Sequence, residues 1–301
     1  MAVDTIKVGQ IARTMIGLLN RELVIAKTVW NDAVGGDEFT GALNDTVTVR
    51  IPARGQPART RVLRAGTPIT NDDLVERSIP VTLDTDVYRG VAITDEELTL
   101  DITSFAEQVL RPQTQAVAEG IEDVLADAIE NSPFDASIAF DPIDPFTSII
   151  QARQALNDRN VPRGSRYLLV GSEVESAILT SDRIAFPFPS SAGEDAYRDA
   201  EMGRIGGFTV VGSNGIPSNR AYAYHRTAWI LATRAPAVPD GVAFGQGISL
   251  DGIAARWIKD YDYVNTTDRS LVNTWMGVGT VTDAQSDPAF VRAVELVLAG
   301  S

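Results

Sequence analysis

Residues 101–131 read DITSFAEQVLRPQTQAVAEGIEDVLADAIEN, and this stretch decides the fold. Phe105, Val109, Val117, Ile121, Val124, Leu125 and Ala128 mark one face, while Glu107, Gln113, Gln115, Glu119, Glu122 and Asp127 take the polar positions around it. The spacing predicts a single amphipathic helix over 103–131, opened by Asp101 or Thr103. Pro112, in its first third, lacks a backbone donor and either kinks the helix or marks its true start. At 1.5 Å per residue the helix is roughly 40 Å long, more than the diameter of a small domain. Such a helix crosses a flat body and does not sit inside a compact ball.

Toward the N-terminus, Ile16, Leu19, Leu23 and Ala26 recur at helical steps, Trp30 completes the stripe, and Gly35-Gly36 ends it. An isolated helix of this length is marginal in water, so the stripe must dock, either on the chain's own core or on a neighbouring copy. From Thr46 the period changes to two. Val47, Val49 and Ile51 alternate with Thr46, Thr48 and Arg50, and a second run follows at Ile79, Val81, Leu83 and Val87, alternating with Thr82, Asp84, Asp86 and Tyr88. Between the runs lies 52–78, rich in Arg, Pro and Gly, which makes an extended hairpin and not a tight turn. Its arginines, Arg54, Arg59, Arg61, Arg64 and Arg77, sit in a chain that is acidic elsewhere. A basic loop on an acidic body suits self-association by charge complementarity, so these residues and Trp30 are the candidate subunit contacts.

Toward the C-terminus, Asp144-Pro145 predicts a helix start, with Phe146, Ile149, Ile150, Arg153 and Leu156 along its face. Tyr167-Leu168-Leu169-Val170 is a buried strand, and Ser172 with Glu175 fits a capping box for the next helix. A separate α/β unit over 145–240 follows, including strands at 208–211, 222–224 and 229–232. The segment 242–282 is strand-rich; pairing it with the region near Val91 to Ile93 makes a discontinuous domain. The end, with Phe290, Val291, Val294, Leu296 and Val297, is expected to form a short helix.

Composition excludes much. The chain has 301 residues with a formal charge of −14, no cysteine and one histidine. Thiolate metal sites, disulfides and thiol nucleophiles have no residues to use, and the absence of cysteine fits folding in a cytoplasm. No apolar run long enough to span a membrane occurs, and the opening residues do not follow the order of a secretory leader. The acidity disfavours a protein that grips nucleic acid, which requires clustered Lys and Arg. His225 stands alone beside aromatics, and the glycine-rich 203–207 precedes a strand and lacks the Lys-Ser/Thr of a phosphate loop. Ser213 lacks the spacing of a nucleophile elbow. Carboxylates are the remaining catalytic candidates. Asp95-Glu96-Glu97 reads as the acidic first turn of a helix, and Asp260, Asp262 and Asp268 flank Tyr261 and Tyr263 on strand edges. No catalytic residue, metal ligand or cofactor is assigned.

The order of these elements resembles the Hong Kong 97-type fold of tailed-phage major capsid proteins, which encapsulin shells share. Residues 167–174 (YLLVGSEV), 206–214 (GGFTVVGSN) and 221–228 (AYAYHRTA) resemble successive segments of that family's axial domain. The resemblance implies an α+β fold with an N-terminal arm carrying an amphipathic helix (1–35), an extended β-hairpin loop (36–90) and a long spine helix (103–131). It further implies a peripheral sheet domain built from 91–144 and 241–285, an inserted axial α/β domain (145–240) and a C-terminal tail (286–301). It implies a structural subunit that is not an enzyme and assembles into hexamers and pentamers. Their icosahedral head shell encloses double-stranded DNA, with the extended loop over a neighbouring subunit. The shell belongs to the virion and is assembled in the bacterial host cytoplasm.

Some members cross-link through a loop lysine. Here no lysine lies between Lys27 and Lys259, so a non-covalent shell is expected. Some also carry a scaffolding extension ahead of the arm; this sequence opens on the arm, so a separate scaffolding protein is expected, with a portal. Packaged DNA is expected to be touched only weakly and non-specifically, and no membrane is involved. The alternatives are an encapsulin-like compartment shell and an acidic soluble hydrolase using paired carboxylates.

Overall fold

The computed structural model describes residues 2–33, 46–51, 60, 68–69, 71, 77–97, 104–181, 203–242, 244–283 and 290–299. The long helix organises them. It begins as a π-helical turn, Ala106–Leu110, and continues without a break as α2, Arg111–Glu130. Pro112 cannot donate to the preceding turn, and its ring crowds the carbonyl four residues back; the wider turn ahead of it accommodates both. One face of α2 buries Val117, Ala118, Ile121, Leu125 and Ile129.

Helix α1, Ala2–Glu22, packs beside α2 on its own subunit. Met15, Ile16, Leu19 and Leu23 are buried in the core that α2 also enters. The helix ends earlier than its stripe suggests. Ile25 and Ala26 are buried on a separate 3₁₀ turn, Ile25–Lys27, and Trp30 forms a bridge with Ile230.

Two short strands follow, β1 Thr46–Ile51 and β2 Arg77–Thr82, paired antiparallel with Val47 opposite Val81 and Val49 opposite Ile79. The apolar run from Ile79 to Val87 is not one strand. It breaks after Thr82, and β3, Thr85–Thr94, joins a different sheet. Leu83 and Asp84 make the transfer, and alternation continues through them because both strands bury one face.

Beyond α2 come β4 Ser137–Phe140, α3 Pro145–Asp158, β5 Arg166–Val170, α4 Ser172–Thr180, β6 Arg204–Ile205, β7 Phe208–Gly212 and β8 Arg220–His225. Asp144 caps α3, accepting from the Thr147 N–H at 3.3 Å. The capping box at Ser172 does not form: Gly171 is the cap residue, and the Glu173 N–H donates to the Ser218 carbonyl at 3.0 Å. Thr94 and Glu97 form one instead. The Thr94 N–H donates to Glu97 at 2.9 Å and the Glu97 N–H donates to the Thr94 hydroxyl at 3.2 Å.

The remaining strands are β9 Trp229–Arg234, β10 Phe244–Leu250, β11 Ile253–Asp262, β12 Thr267–Thr280 and β13 Ala293–Leu298. One sheet has the order β10-β11-β12-β3, and β9 extends it by pairing with the far end of β12. Asp268 lies opposite Ile93, so 242–282 does return to the region before the long helix. The other sheet has the order β4-β13-β8-β5-β7-β6. Strand β9 therefore belongs to the first sheet and not to the α/β unit of 145–240.

The expected C-terminal helix is wrong: 293–298 is a strand between β4 and β8, parallel to the first and antiparallel to the second. Ala293, Val294 and Leu296 are all buried. A strand covered on both faces shows no alternation, so its apolar positions match helical spacing by accident.

Two cores result. Helices α3 and α4 cover one face of the six-stranded sheet, around Ile149, Leu168, Val174, Phe208 and Leu296. The opposite face meets α1, α2 and the inner face of the five-stranded sheet in a larger core. At that junction Trp229 lies 4.9 Å from Tyr224 and 5.4 Å from Phe290, while its indole N–H donates to Ser132 Oγ at 2.8 Å.

Candidate functional site

The two faces of the five-stranded sheet differ. On β12, Val272, Thr274 and Met276 are fully buried toward α1 and α2. The alternate residues lie on the other face: Leu271 opposite Gly90 and Trp275 opposite Asp86, with Asn273, opposite Tyr88, buried between them. Gly90, Ala92, Ile258, Leu271 and Val242 line a shallow apolar groove on this face, with Asp260 and Arg269 at one end. Tyr88 is 67% exposed and Trp275 41% exposed, so two exposed aromatics share the face of the groove. Exposed apolar groups gathered on one sheet face mark a contact surface more often than scattered single residues do.

A polar ladder crosses the same face. Asn273 Nδ2 donates to Asp86 at 3.1 Å and Arg256 Nε donates to Asn273 Oδ1 at 3.1 Å, while Arg256 also reaches the Ala237 carbonyl. Burial holds the Arg256 guanidinium below its ordinary pKa. At the β11–β12 turn Asp262 accepts from the Val264 N–H at 3.0 Å and from the Asn265 side chain at 3.0 Å. These bonds hold Asp262 below the usual carboxylate range. The turn presents Tyr263 and Val264, 85% and 89% exposed, on an ordered support.

The carboxylates considered for catalysis hold structural positions. Asp95 accepts from the Tyr261 hydroxyl at 2.8 Å, Asp268 pairs with Lys259 at 2.8 Å, and Arg269 bridges Asp260 and Asp262 at 3.1 and 3.7 Å. His225 Nδ1 accepts from the Thr227 N–H at 3.3 Å, and burial together with Arg292 and Arg166 lowers its pKa. Among the described residues no group of His, Asp and Glu could hold a metal ion. No helix of the described residues is long and apolar enough to cross a membrane.

Of the candidate contact residues, Arg54, Arg59, Arg61 and Arg64 lie outside the described residues. Arg77 opens β2 opposite Ile51. Trp30 is brought onto its own chain: its N–H donates to the Trp229 carbonyl at 3.1 Å, and its side chain packs against the cluster of Val49, Ile79, Val81 and Ile230. The groove and its aromatics were not singled out from sequence. Their signal was Tyr88, an aromatic on the polar side of an alternating run.

One long helix braces two sheets, and the β1–β2 pair and an apolar groove both lie on the five-stranded one. The chain belongs to a phage capsid protein family, whose sequence profile matches residues 76–294. It is a phage major capsid protein, a structural component of the virion capsid. No curated protein sequence matches it.

Solved structures share the fold. A structure from Mycobacterium phage Che8 is 17% identical with a TM-score of 0.61, covering 93% of this chain and 92% of that one. The capsid of Cyanophage P-SCSP1u is 13% identical with a TM-score of 0.60, covering 86% and 85%. A virus-like particle from Pyrococcus furiosus is 11% identical with a TM-score of 0.54, covering 96% and 98%. The chain thus has the mixed helix and sheet fold of the Hong Kong 97-type capsid proteins.

Proposed function

We propose that this capsid protein assembles as hexamers and pentamers into a closed icosahedral shell around double-stranded DNA, without covalent cross-links between subunits. The carrying observation is the half-buried apolar groove of Gly90, Ala92, Ile258 and Leu271, with exposed Tyr88 and Trp275 on the same face of a sheet whose other face is buried. Asp86, Asp260 and Asp262 border it, and the arginine-rich segment 52–78 supplies the opposite charge. In this reading Arg54, Arg59, Arg61, Arg64 and Arg77 of one copy lie over this face of the next. The work of the protein is done by contact surfaces and not by catalysis.

The proposed division is an arm over 1–35, an extended loop over 36–90, a peripheral domain over 91–144 and 241–285, an axial domain over 145–240 and a tail over 286–301, adjusted so that the whole of β3 goes with the peripheral sheet and β4 with the axial one. Strand β9 is assigned to the peripheral sheet and β13 to the axial sheet. A separate scaffolding protein and a portal complete the assembly in the host cytoplasm. In this reading DNA is touched only weakly, which the charge of −14 supports.

The test is expression of the chain alone and with a candidate scaffolding protein, followed by negative-stain microscopy and light scattering. Closed shells, tubes or a ladder of pentamers and hexamers are expected. A persistent monomer or dimer in both cases sinks the proposal, and shells that hold a cargo enzyme but no nucleic acid turn it toward a compartment.

A further inference from the structure

We propose that residues 2–31 are a brace of their own subunit and remain docked on it inside the assembled shell. This rests on the shell-forming function above. Its centre is Glu122 on α2, whose carboxylate accepts three successive backbone N–H groups, from Val24 at 3.0 Å, Ile25 at 2.7 Å and Ala26 at 3.0 Å. Lifting the segment as a unit breaks all three of these bonds at once, two of them part-buried. It also uncovers Met15, Ile16, Leu19, Leu23, Ile25, Ala26 and Val29, each at most 3% exposed.

Anchors on other elements act in the same sense. Thr28 shares a hydrogen bond of 2.5 Å with the Tyr224 hydroxyl on β8. Arg226 donates to the Val29 carbonyl at 3.3 Å and to Asn31 Oδ1 at 3.1 Å, and pairs with Asp32 at 3.3 Å. Trp30 donates to Trp229 on β9, and its carbonyl accepts from the Leu231 N–H at 3.0 Å. At the β10–β11 turn, Asn20 and Asn31 donate to Asp251 at 2.9 and 3.0 Å.

Exchange of the whole segment between copies would keep these bonds, but the connection argues against it. Ala33 and Val47, on either side of 34–45, pack in the same small cluster with Trp30 and Val49. The two ends of the connection are therefore already together within one chain. Reach toward neighbours is left to the segments after residue 33.

The sequence contains no cysteine, so two introduced thiols are unique. Asn20→Cys and Asp251→Cys replace a hydrogen-bonded surface pair and can be joined by a short bis-maleimide. Shells assembled from an equal mixture of ¹⁵N-labelled and unlabelled double variant are then cross-linked, digested and analysed by mass spectrometry. The expected result is linked peptides that are both labelled or both unlabelled, and unchanged shell yield when the link is made before assembly. Mixed-isotope pairs, or pre-linked subunits that fail to assemble while unlinked ones succeed, overturn the proposal. Amide hydrogen exchange on the unmodified chain gives an independent reading. Equal protection of Val24, Ile25 and Ala26 in free subunits and in shells supports the brace, and loss of protection in shells refutes it. Both readings presuppose shells, so a chain that forms none fails the function proposed above and not this inference.

Discussion

The backbone of Gly277 on β12 lies directly against the carbonyl of Thr82 on β2, with no room for a side chain between them. Two residues along, a Cβ on Gly279 would stand 2.8 Å from Val81 Cγ2. This contact seats the β1–β2 hairpin on the end of the five-stranded sheet, with Ile79 and Val81 packed on Ile230 and Val281. Replacing Gly277 with alanine must push β2 away from β12. The expected result is a loss of about 1–3 kcal/mol, the usual cost of overpacking. Denaturant unfolding measures it; an unchanged midpoint would show that the hairpin is not held by this contact.

Glu122→Ala removes the acceptor of three N–H groups on the 23–27 segment. Unsatisfied buried donors cost about 1–3 kcal/mol each, and the Val24 donor is solvent-exposed, so the loss should be about 2–4 kcal/mol. Glu122→Gln keeps one acceptor oxygen and should fall between. Calorimetric unfolding of the three chains gives the order.

The arginines of the extended loop are assigned to contacts between copies. The triple variant of Arg59, Arg61 and Arg64 to alanine should therefore fold with stability within about 0.5 kcal/mol of the parent. It should assemble less, and its assembly should depend less on ionic strength, because screened charge pairs have been removed. Normal shells at normal yield from this variant would remove the loop from the interface.

Tyr88 is exposed in the single chain and covered in the proposed shell. Tyr88→Glu places a second carboxylate beside Asp86 on the outer face of the sheet. The subunit's circular dichroism and thermal midpoint should change little, while light scattering should show fewer shells. A shell yield equal to the parent's would mean that the outer face stays open to solvent.

His225 titrates below its ordinary value of 6.5 in the folded chain, because burial and the nearby Arg292 and Arg166 disfavour its cation. As pH falls through 6.5 the unfolded chain takes up the proton first, so the folded state loses stability. His225→Asn supplies a side-chain oxygen that can accept from the Thr227 N–H two residues on. The thermal midpoint of the parent should therefore drop more than that of the variant between about pH 7.5 and about pH 6. Equal drops would assign the acid sensitivity elsewhere.

Much of this protein follows from local pattern. The stripe of 105–129 determines the long helix and the alternation of 47–51 determines β1. Asp144-Pro145 starts α3, and 167–170 forms a buried strand, because backbone geometry imposes a period of 3.6 or 2 on whichever face is buried. Charge distribution is equally local: the arginines of 52–78 stand out in the sequence without any coordinates. Tertiary structure decided what the periods cannot carry. The run from Ile79 to Val87 divides between two sheets, since alternation records that one face is buried and not which partner buries it. The last strand enters the six-stranded sheet between β4 and β8, where burial on both faces erases the alternation. Trp30 lies on its own β9, Glu122 meets three amides about a hundred residues before it in the chain, and Gly277 yields its side chain to the backbone of Thr82. Each of these is a meeting of distant segments, set by the register of strands and the packing of one helix across two sheets.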